Sequence, residues 1–314
     1  MSSASDVRDL LARFNLRPRK SLGQNFLVDD AALDRIVAAA DLTPEDTVLE
    51  IGPGLGTLTR RLARAAGQVI SVELDQNLIP VLRHTLAGYS NVELVHGDIL
   101  ELDPASLVGE SLRGQTDHPT TRPRDHAATR PPDYPTTRPP DHPTTRLPDY
   151  KVVANLPYYI TSAVIRHLLE APARPSRLIL TVQLEVAQRL IAGPGDMSLL
   201  AVGVQLYGAP TIVTRIKAGA FYPAPKVDSA VVRIEVHAQP PAEVRDVDYF
   251  FAVVRAGFGQ KRKQLHNSLR IGLSLPAEVV EAALAKAGID AKRRAETLTL
   301  DEWAALANAL RVEM

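Results

Sequence analysis

The sequence predicts an α/β fold with a mainly parallel sheet and an antiparallel last strand, followed by a small all-α C-terminal domain. Three observations carry this. Between Thr47 and Gln183, β-rich runs at 48–51, 69–72, 92–95, 151–154 and 178–182 alternate with helical pieces at 57–66, 76–86 and 162–170, the pattern of a parallel sheet with crossover helices. Two further β-rich runs, 212–216 and 230–236, are separated only by the loop 217–229, so they can pair antiparallel at the end of the sheet. Beyond Pro241, the segments 247–256, 263–271, 277–287 and 300–311 carry apolar residues at helical spacing.

In chain order, residues 1–28 read as a basic N-terminal arm: 10–28 holds Arg13, Arg17, Arg19 and Lys20 and no acid. Such arms are often only solubilising, but this one runs into Gly23-Gln24-Asn25, a turn whose amide side chains are placed to cover a ligand. Asp29 or Asp30 caps a helix with Leu33, Ile36, Val37 and Ala40 on its apolar face. The α/β domain spans 29–239 and is interrupted by an insert at 114–149. Within the insert, 117–148 repeats every eight residues as DHPTTRPR, DHAATRPP, DYPTTRPP and DHPTTRLP. Almost without aliphatic side chains, it cannot bury enough surface to offset chain entropy, and is expected to be disordered or polyproline-like. Its Asp-His pairs impose no coordination geometry, so no metal site is expected. As a helix-to-strand connection it should project from the edge of the sheet opposite the ligand sites. Residues 240–314 form the helical domain.

The chemistry-bearing residues follow strand ends. Glu50-Ile51-Gly52-Pro53-Gly54-Leu55-Gly56-Thr57 is a strand, a glycine-rich turn and a helix start, which lets a nucleotide-type ligand approach the backbone. The glycines at 52, 54 and 56 fit G-x-G-x-G and miss the dinucleotide G-x-G-x-x-G, and no Walker lysine follows. Glu73 ends the second strand, placed to accept both hydroxyls of a ribose. Asp98 follows the third, placed to accept from an adenine amino group while Ile99 packs on the ring. After the strand 151–154 comes Asn155-Leu156-Pro157-Tyr158. There the Asn155 side-chain carbonyl and the Leu156 backbone carbonyl can accept from one amino group, Pro157 restrains the turn and Tyr158 presents a ring. Taken alone, these four residues favour a capped strand-to-helix turn, and each acid favours a cap. Their concurrence on one sheet edge is what points to a site, and the loop carrying Phe221 leaves the sheet on that edge, facing Phe221 toward Tyr158.

Composition narrows the chemistry. Lys plus Arg and Asp plus Glu both number 36, so any polyanion footprint must be local. One candidate is 249–277, which holds Arg255, Lys261, Arg262, Lys263 and Arg270 and no acid. The absence of cysteine excludes disulfides, iron–sulfur clusters and cysteine nucleophiles. No apolar run approaches the roughly 20 residues of a membrane span, and the first eleven residues lack a signal-peptide core. No membrane association and a cytoplasmic location are expected.

In order along nearly the whole chain, the residues resemble a known family. Lys20 to Leu27, Glu50 to Thr57, Val72-Glu73-Leu74-Asp75, Gly97-Asp98, Asn155-Leu156-Pro157-Tyr158, the F-x-P-x-P-K-V-D-S run from Phe221 to Ser229, Phe258 to Lys263, Asn267-Ser268-Leu269 and Arg294-Ala295-Glu296 are similar to the S-adenosylmethionine-dependent rRNA adenine N6,N6-dimethyltransferases, most closely the small-subunit type. The octad repeat departs from the family. The resemblance implies a class I, Rossmann-like methyltransferase fold. It implies an S-adenosylmethionine site at Gln24, Asn25, Leu27, Glu50, Gly52, Gly54, Gly56, Glu73, Asp98, Ile99 and Asn155, and catalysis by Asn155, Leu156, Pro157, Tyr158 and Phe221. The implied substrate is a pair of adjacent adenines in the 3′-terminal hairpin of small-subunit rRNA, within an assembling 30S particle, each receiving two methyls from a monomeric enzyme. Two competing readings are a large-subunit adenine methyltransferase of the macrolide-resistance type and an assembly factor that no longer methylates. The Lys261-Arg262-Lys263 to Leu269 stretch disfavours the first, and intact Glu50, Gly52, Glu73, Asp98 and Asn155 disfavour the second.

Overall fold

The computed structural model describes residues 3–112, 149–260 and 262–312; the octad repeat at 117–148 and Lys261 lie outside the described residues. The chain begins with α1 (Ala4–Arg13), β1 (Phe26–Leu27) and α2 (Asp30–Ala40). The alternating region runs β2 (Thr47–Ile51), α3 (Thr59–Ala65), β3 (Gln68–Glu73), α4 (Ile79–Thr85), β4 (Val92–His96), α5 (Pro104–Leu112), β5 (Lys151–Asn155), α6 (Thr161–Glu170) and β6 (Arg177–Gln183). Next come α7 (Leu184–Leu190), α8 (Leu199–Tyr207), β7 (Gly208–Ile216), β8 (Phe221–Tyr222) and β9 (Ser229–Val236). Four helices close the chain: α9 (Val247–Phe258), α10 (Leu265–Leu273), α11 (Ala277–Lys286) and α12 (Leu300–Val312).

The seven-stranded sheet has the order β4-β3-β2-β5-β6-β9-β7. β2 to β6 are parallel neighbours, and β9 runs antiparallel to both β6 and β7. The antiparallel strand therefore lies inside the edge, and β7, reversed twice, points the same way as the parallel set. Gln183 of β6 and Ile216 of β7 both oppose Ser229, so the loop after β7 leaves from the edge where the parallel strands end.

Central strands of such a sheet are covered on both faces and need apolar residues in succession. Val48, Val69, Val153 and Ile179 enter one buried cluster with α2 and α3, while Leu49, Ile70, Val152 and Leu178 enter another with α6 and α8. That second cluster continues into the C-terminal helices through Phe250, Trp303 and Leu306, and α8 touches both α9 and α12. α7 and α8 were not expected. α8 is apolar nearly all round (LLAVGVQLY), a composition that periodicity alone does not separate from a buried strand.

Much of the basic N-terminal arm is folded onto the domain. Ser3 caps α1 by accepting from the Asp6 N–H at 3.1 Å. Val7 and Leu11, one turn apart, are buried with Phe26, Leu55, Leu78 and Leu82. Arg13 reaches the His84 ring at 3.3 Å and Arg19 the Asp75 carboxylate at 3.1 Å, so part of its charge is neutralised within the chain. Among the described residues no helix is long and apolar enough to cross a membrane.

Candidate active site

The order of strands reverses between β2 and β5, and in open α/β sheets the crevice at that switch point receives ligands. Here it is lined by Asn25, Leu27, Glu50, Gly52, Gly54, Glu73, Asp98, Ile99 and the stretch Asn155 to Ile160. The turn after β2 can pass so close because its glycines take left-handed angles, with φ of 70° at Gly52 and 60° at Gly54. A side chain at Gly54 would bring its Cβ within 3.1 Å of the Phe26 ring. Gly56, expected to bind cofactor, does not line the crevice; it lies against α4, where a Cβ would sit 2.9 Å from the Thr85 hydroxyl.

Three acids stand at the crevice floor and rim. Glu50 is fully buried and accepts from the Ser71 hydroxyl at 2.7 Å. Glu73 accepts from the Asp75 N–H at 2.8 Å through Oε1 and from the Gly54 N–H at 3.2 Å through Oε2. Asp98 Oδ1 accepts from the Leu100 N–H at 3.0 Å, with buried Ile99 beside it. Burial pushes both the Glu50 and the Glu73 carboxyl from the ordinary 4.5 up to about 7. Between those values the native chain holds more protons than the unfolded one. The stability these groups contribute is therefore fully present below about 4.5 and is lost as the pH rises through about 7. Thermal unfolding of the ligand-free chain should show the wild-type midpoint falling relative to Glu50→Gln as the pH is raised across this window; parallel curves would refute a raised Glu50 pKa.

Asn155 ends β5 with its Nδ2 donating to the Asn25 carbonyl at 3.2 Å. Because that carbonyl only accepts, the amide nitrogen must face it, and Oδ1 is left as the acceptor toward the crevice. Leu156 donates its N–H to the Thr181 carbonyl at 3.3 Å, while no donor among the described residues reaches the Leu156 carbonyl. Pro157 lends its carbonyl to the Ile160 N–H at 3.2 Å, tightening the turn into α6. The half-buried Tyr158 is tied by its hydroxyl to Ser229 Oγ at 2.8 Å. Tyr159, passed over in the sequence, is 59% exposed at the crevice mouth. A Cβ on Gly23 would come within 3.4 Å of its ring.

Two expected roles change. Phe221 reaches the right edge, but β8 pairs antiparallel with β1, Leu27 opposite Phe221 and Phe26 opposite Tyr222. Phe221 is 4% exposed, packed with Leu27, Leu33 and Ile216, and is not among the residues lining the crevice. Gln24 borders the crevice with its amide already used: Nε2 donates to Asp75 at 2.8 Å and Oε1 accepts from the Arg19 N–H at 2.8 Å. Asp75, which sequence reasoning gave no role, is the hub that clamps this segment to the end of β3. Its signal in the sequence was its place in the Val72-Glu73-Leu74-Asp75 stretch. Replacing it by Ala takes the acceptor from the Gln24 amide, a loss of about 0.5–1.5 kcal/mol, and releases the half-exposed Arg19 to water. Tryptic cleavage after Arg19 and Lys20 should then accelerate several-fold; unchanged cleavage would show that the clamp is dispensable.

A family model described as ribosomal RNA adenine dimethylase matches residues 15–311. The chain belongs to this family. Among curated relatives, ribosomal RNA small subunit methyltransferase A of Dehalococcoides mccartyi strain CBDB1 is 44% identical, with 96% of this chain and 91% of the relative covered. The protein of the same name from Pelotomaculum thermopropionicum is 43% identical, with 98% and 97% covered. Among solved structures, the 23S rRNA methyltransferase ErmE is 30% identical with a TM-score of 0.64, covering 91% of this chain and all of that one. A dimethyladenosine transferase from Plasmodium falciparum shares the fold at a TM-score of 0.68 and 23% identity, with 92% and 98% covered. This rRNA adenine dimethylase is thus an S-adenosylmethionine-dependent methyltransferase of the class I fold.

Proposed function

We propose that the chain transfers methyl groups from S-adenosylmethionine to the N6 amines of two adjacent adenines in the 3′-terminal hairpin of small-subunit rRNA, as a cytoplasmic monomer acting on an assembling 30S particle. The observation that carries this reading is the fixed amide of Asn155, its oxygen beside the free Leu156 carbonyl at a crevice edged by Glu73 and Asp98.

The donor fits the crevice residue by residue. Glu73 offers carboxylate lone pairs to a ribose beyond its two backbone bonds, Asp98 and Ile99 offer an acceptor and an apolar face to an adenine, and Gly52 and Gly54 leave room for the backbone to approach. Bound S-adenosylmethionine supplies an electrophilic methyl group. The protein's part is to prepare the acceptor, since an exocyclic adenine amine is a poor nucleophile with its lone pair delocalised into the ring. Asn155 Oδ1 and the Leu156 carbonyl, each accepting one N–H, favour a pyramidal nitrogen and free its lone pair. Neither group is a base, so the proton leaves after transfer, when the nitrogen is cationic and acidic. Tyr158, tethered through Ser229, offers its ring to the extruded base, a contact worth roughly 1–3 kcal/mol. Arg255, Arg262, Lys263 and Arg270 in the helical domain are proposed to meet RNA phosphates.

A specific observation keeps one other substrate in view: the similarity to ErmE, whose name specifies 23S rRNA. The relatives named for the small subunit are more similar, at 43–44% identity against 30%. Transfer of label from S-adenosylmethionine to under-methylated small subunits, with none to large subunits, is expected. Label confined to large subunits would overturn the assignment.

A further inference from the structure

A second cavity, of about 270 Å3, lies away from the donor crevice, between the end of α1, the turn after it and the β1–β8 ribbon. Arg8, Asn15, Arg17 and Tyr222 supply its polar and aromatic lining, and no acid lines it. The turn is shaped for this by Asn15, which adopts a left-handed φ of 53° and carries the chain from α1 to Arg17. The Arg8 guanidinium carbon stands 5.9 Å from the centre of the Tyr222 ring, a stacking arrangement also open to a base.

The two cations are unlike their neighbours. Arg13 is engaged by His84 and Arg19 by Asp75, whereas among the described residues neither Arg8 nor Arg17 meets a carboxylate. Among the described residues Arg8 donates only to the Ala4 carbonyl, at 3.3 Å. Both are exposed, so two positive charges converge on one concave site without internal compensation. Its place relative to the catalytic tip is fixed by pairing. Asn25, whose carbonyl orients Asn155, is followed by Phe26, and Phe26 opposes Tyr222 across the ribbon. With consecutive Cα atoms 3.8 Å apart and paired strands about 5 Å apart, the cavity is roughly 10–15 Å from the Asn155 amide. A strand whose base is held at Asn155 has its neighbouring phosphates within that range.

We propose that Arg8, Arg17 and Tyr222 form a docking pocket for a backbone phosphate of the substrate RNA close to the target adenines, with the Tyr222 ring and Arg8 receiving an adjacent unstacked base. This rests on the reading of the chain as an RNA methyltransferase. The pocket contributes to RNA affinity and register and leaves the donor site untouched.

The test compares wild-type chain, Arg8→Gln/Arg17→Gln and Arg8→Lys/Arg17→Lys. Affinity for a hairpin RNA with two adjacent loop adenines is measured across a salt series, beside methyl transfer to under-methylated small subunits and S-adenosylhomocysteine binding. Loss of the docked phosphate should reduce the slope of log affinity against log salt by about 0.7–0.9. The Gln pair is expected to raise KM for the subunits about tenfold or more with kcat and S-adenosylhomocysteine affinity preserved, and the Lys pair to retain most of the slope. Both arginines are exposed, so equal thermal midpoints will certify the fold. An active wild type whose slope and KM are shared by the Gln pair overturns the pocket alone; a wild type that methylates neither subunit overturns the underlying reading as well.

Discussion

Asn155→Ala will leave a folded protein that binds the methyl donor and scarcely uses it. Removing one preorganised polar group aimed at a reacting centre typically lowers kcat on the order of 10²–10³-fold, and Asn155 Oδ1 is such a group because the Asn25 carbonyl holds the other end of its amide. Half-buried at the end of β5, Asn155 supports none of the main apolar clusters, so thermal stability should move little. Asn155→Asp distinguishes orientation from simple hydrogen bonding. It retains an acceptor but sets a carboxylate oxygen against the Asn25 carbonyl, so it should recover only a small part of the rate. Single-turnover transfer with saturating donor checks both variants. A rate for Asn155→Ala within threefold of wild type would remove Asn155 from the chemistry.

Glu73→Ala should act on the donor instead. Hydrogen bonds to a charged group contribute about 1.5–3 kcal/mol each, so losing two ribose contacts costs about 3 kcal/mol or more, upwards of about 100-fold in affinity. Glu73→Gln keeps the shape without the charge and should fall between. The pH dependence carries a sign: burial holds the free Glu73 carboxyl at about 7, and ribose hydroxyls favour its ionised form. Donor affinity should therefore decline as the pH falls below about 7, by up to tenfold per unit, and Glu73→Gln should lose that dependence. Calorimetric titration with S-adenosylhomocysteine gives both quantities; a Kd for Glu73→Ala within threefold of wild type would place the ribose elsewhere.

Much of this was legible in the sequence because its signals are local. The run TVLEI and the glycines at 52, 54 and 56 announce a buried strand and a left-handed turn by composition alone, and Asp29 announces a helix by capping. Glu73, Asp98 and Asn155 share an edge for a topological reason, since each ends or follows a parallel strand. What stayed hidden depends on long-range pairing. The β1–β8 ribbon consists of two residues on each side, nearly two hundred positions apart, too short for any periodicity. It nonetheless buries Phe221, the residue expected to stack. The docking of the basic arm was hidden for a related reason: α1 packs through two buried side chains, Val7 and Leu11, which a run of arginines masks. Gln24 and Asp75 show the same limit, because the sequence reveals an amide and an acid but not that each satisfies the other.

The most direct test of the central claim is the identity of the product. Small subunits methylated by the purified chain, digested and analysed by mass spectrometry, should yield two adjacent N6,N6-dimethyladenosines in the 3′-terminal hairpin. Methylation at a ring nitrogen, on another base or only in large-subunit rRNA would contradict the account of Asn155 and Leu156 as holders of an adenine amine.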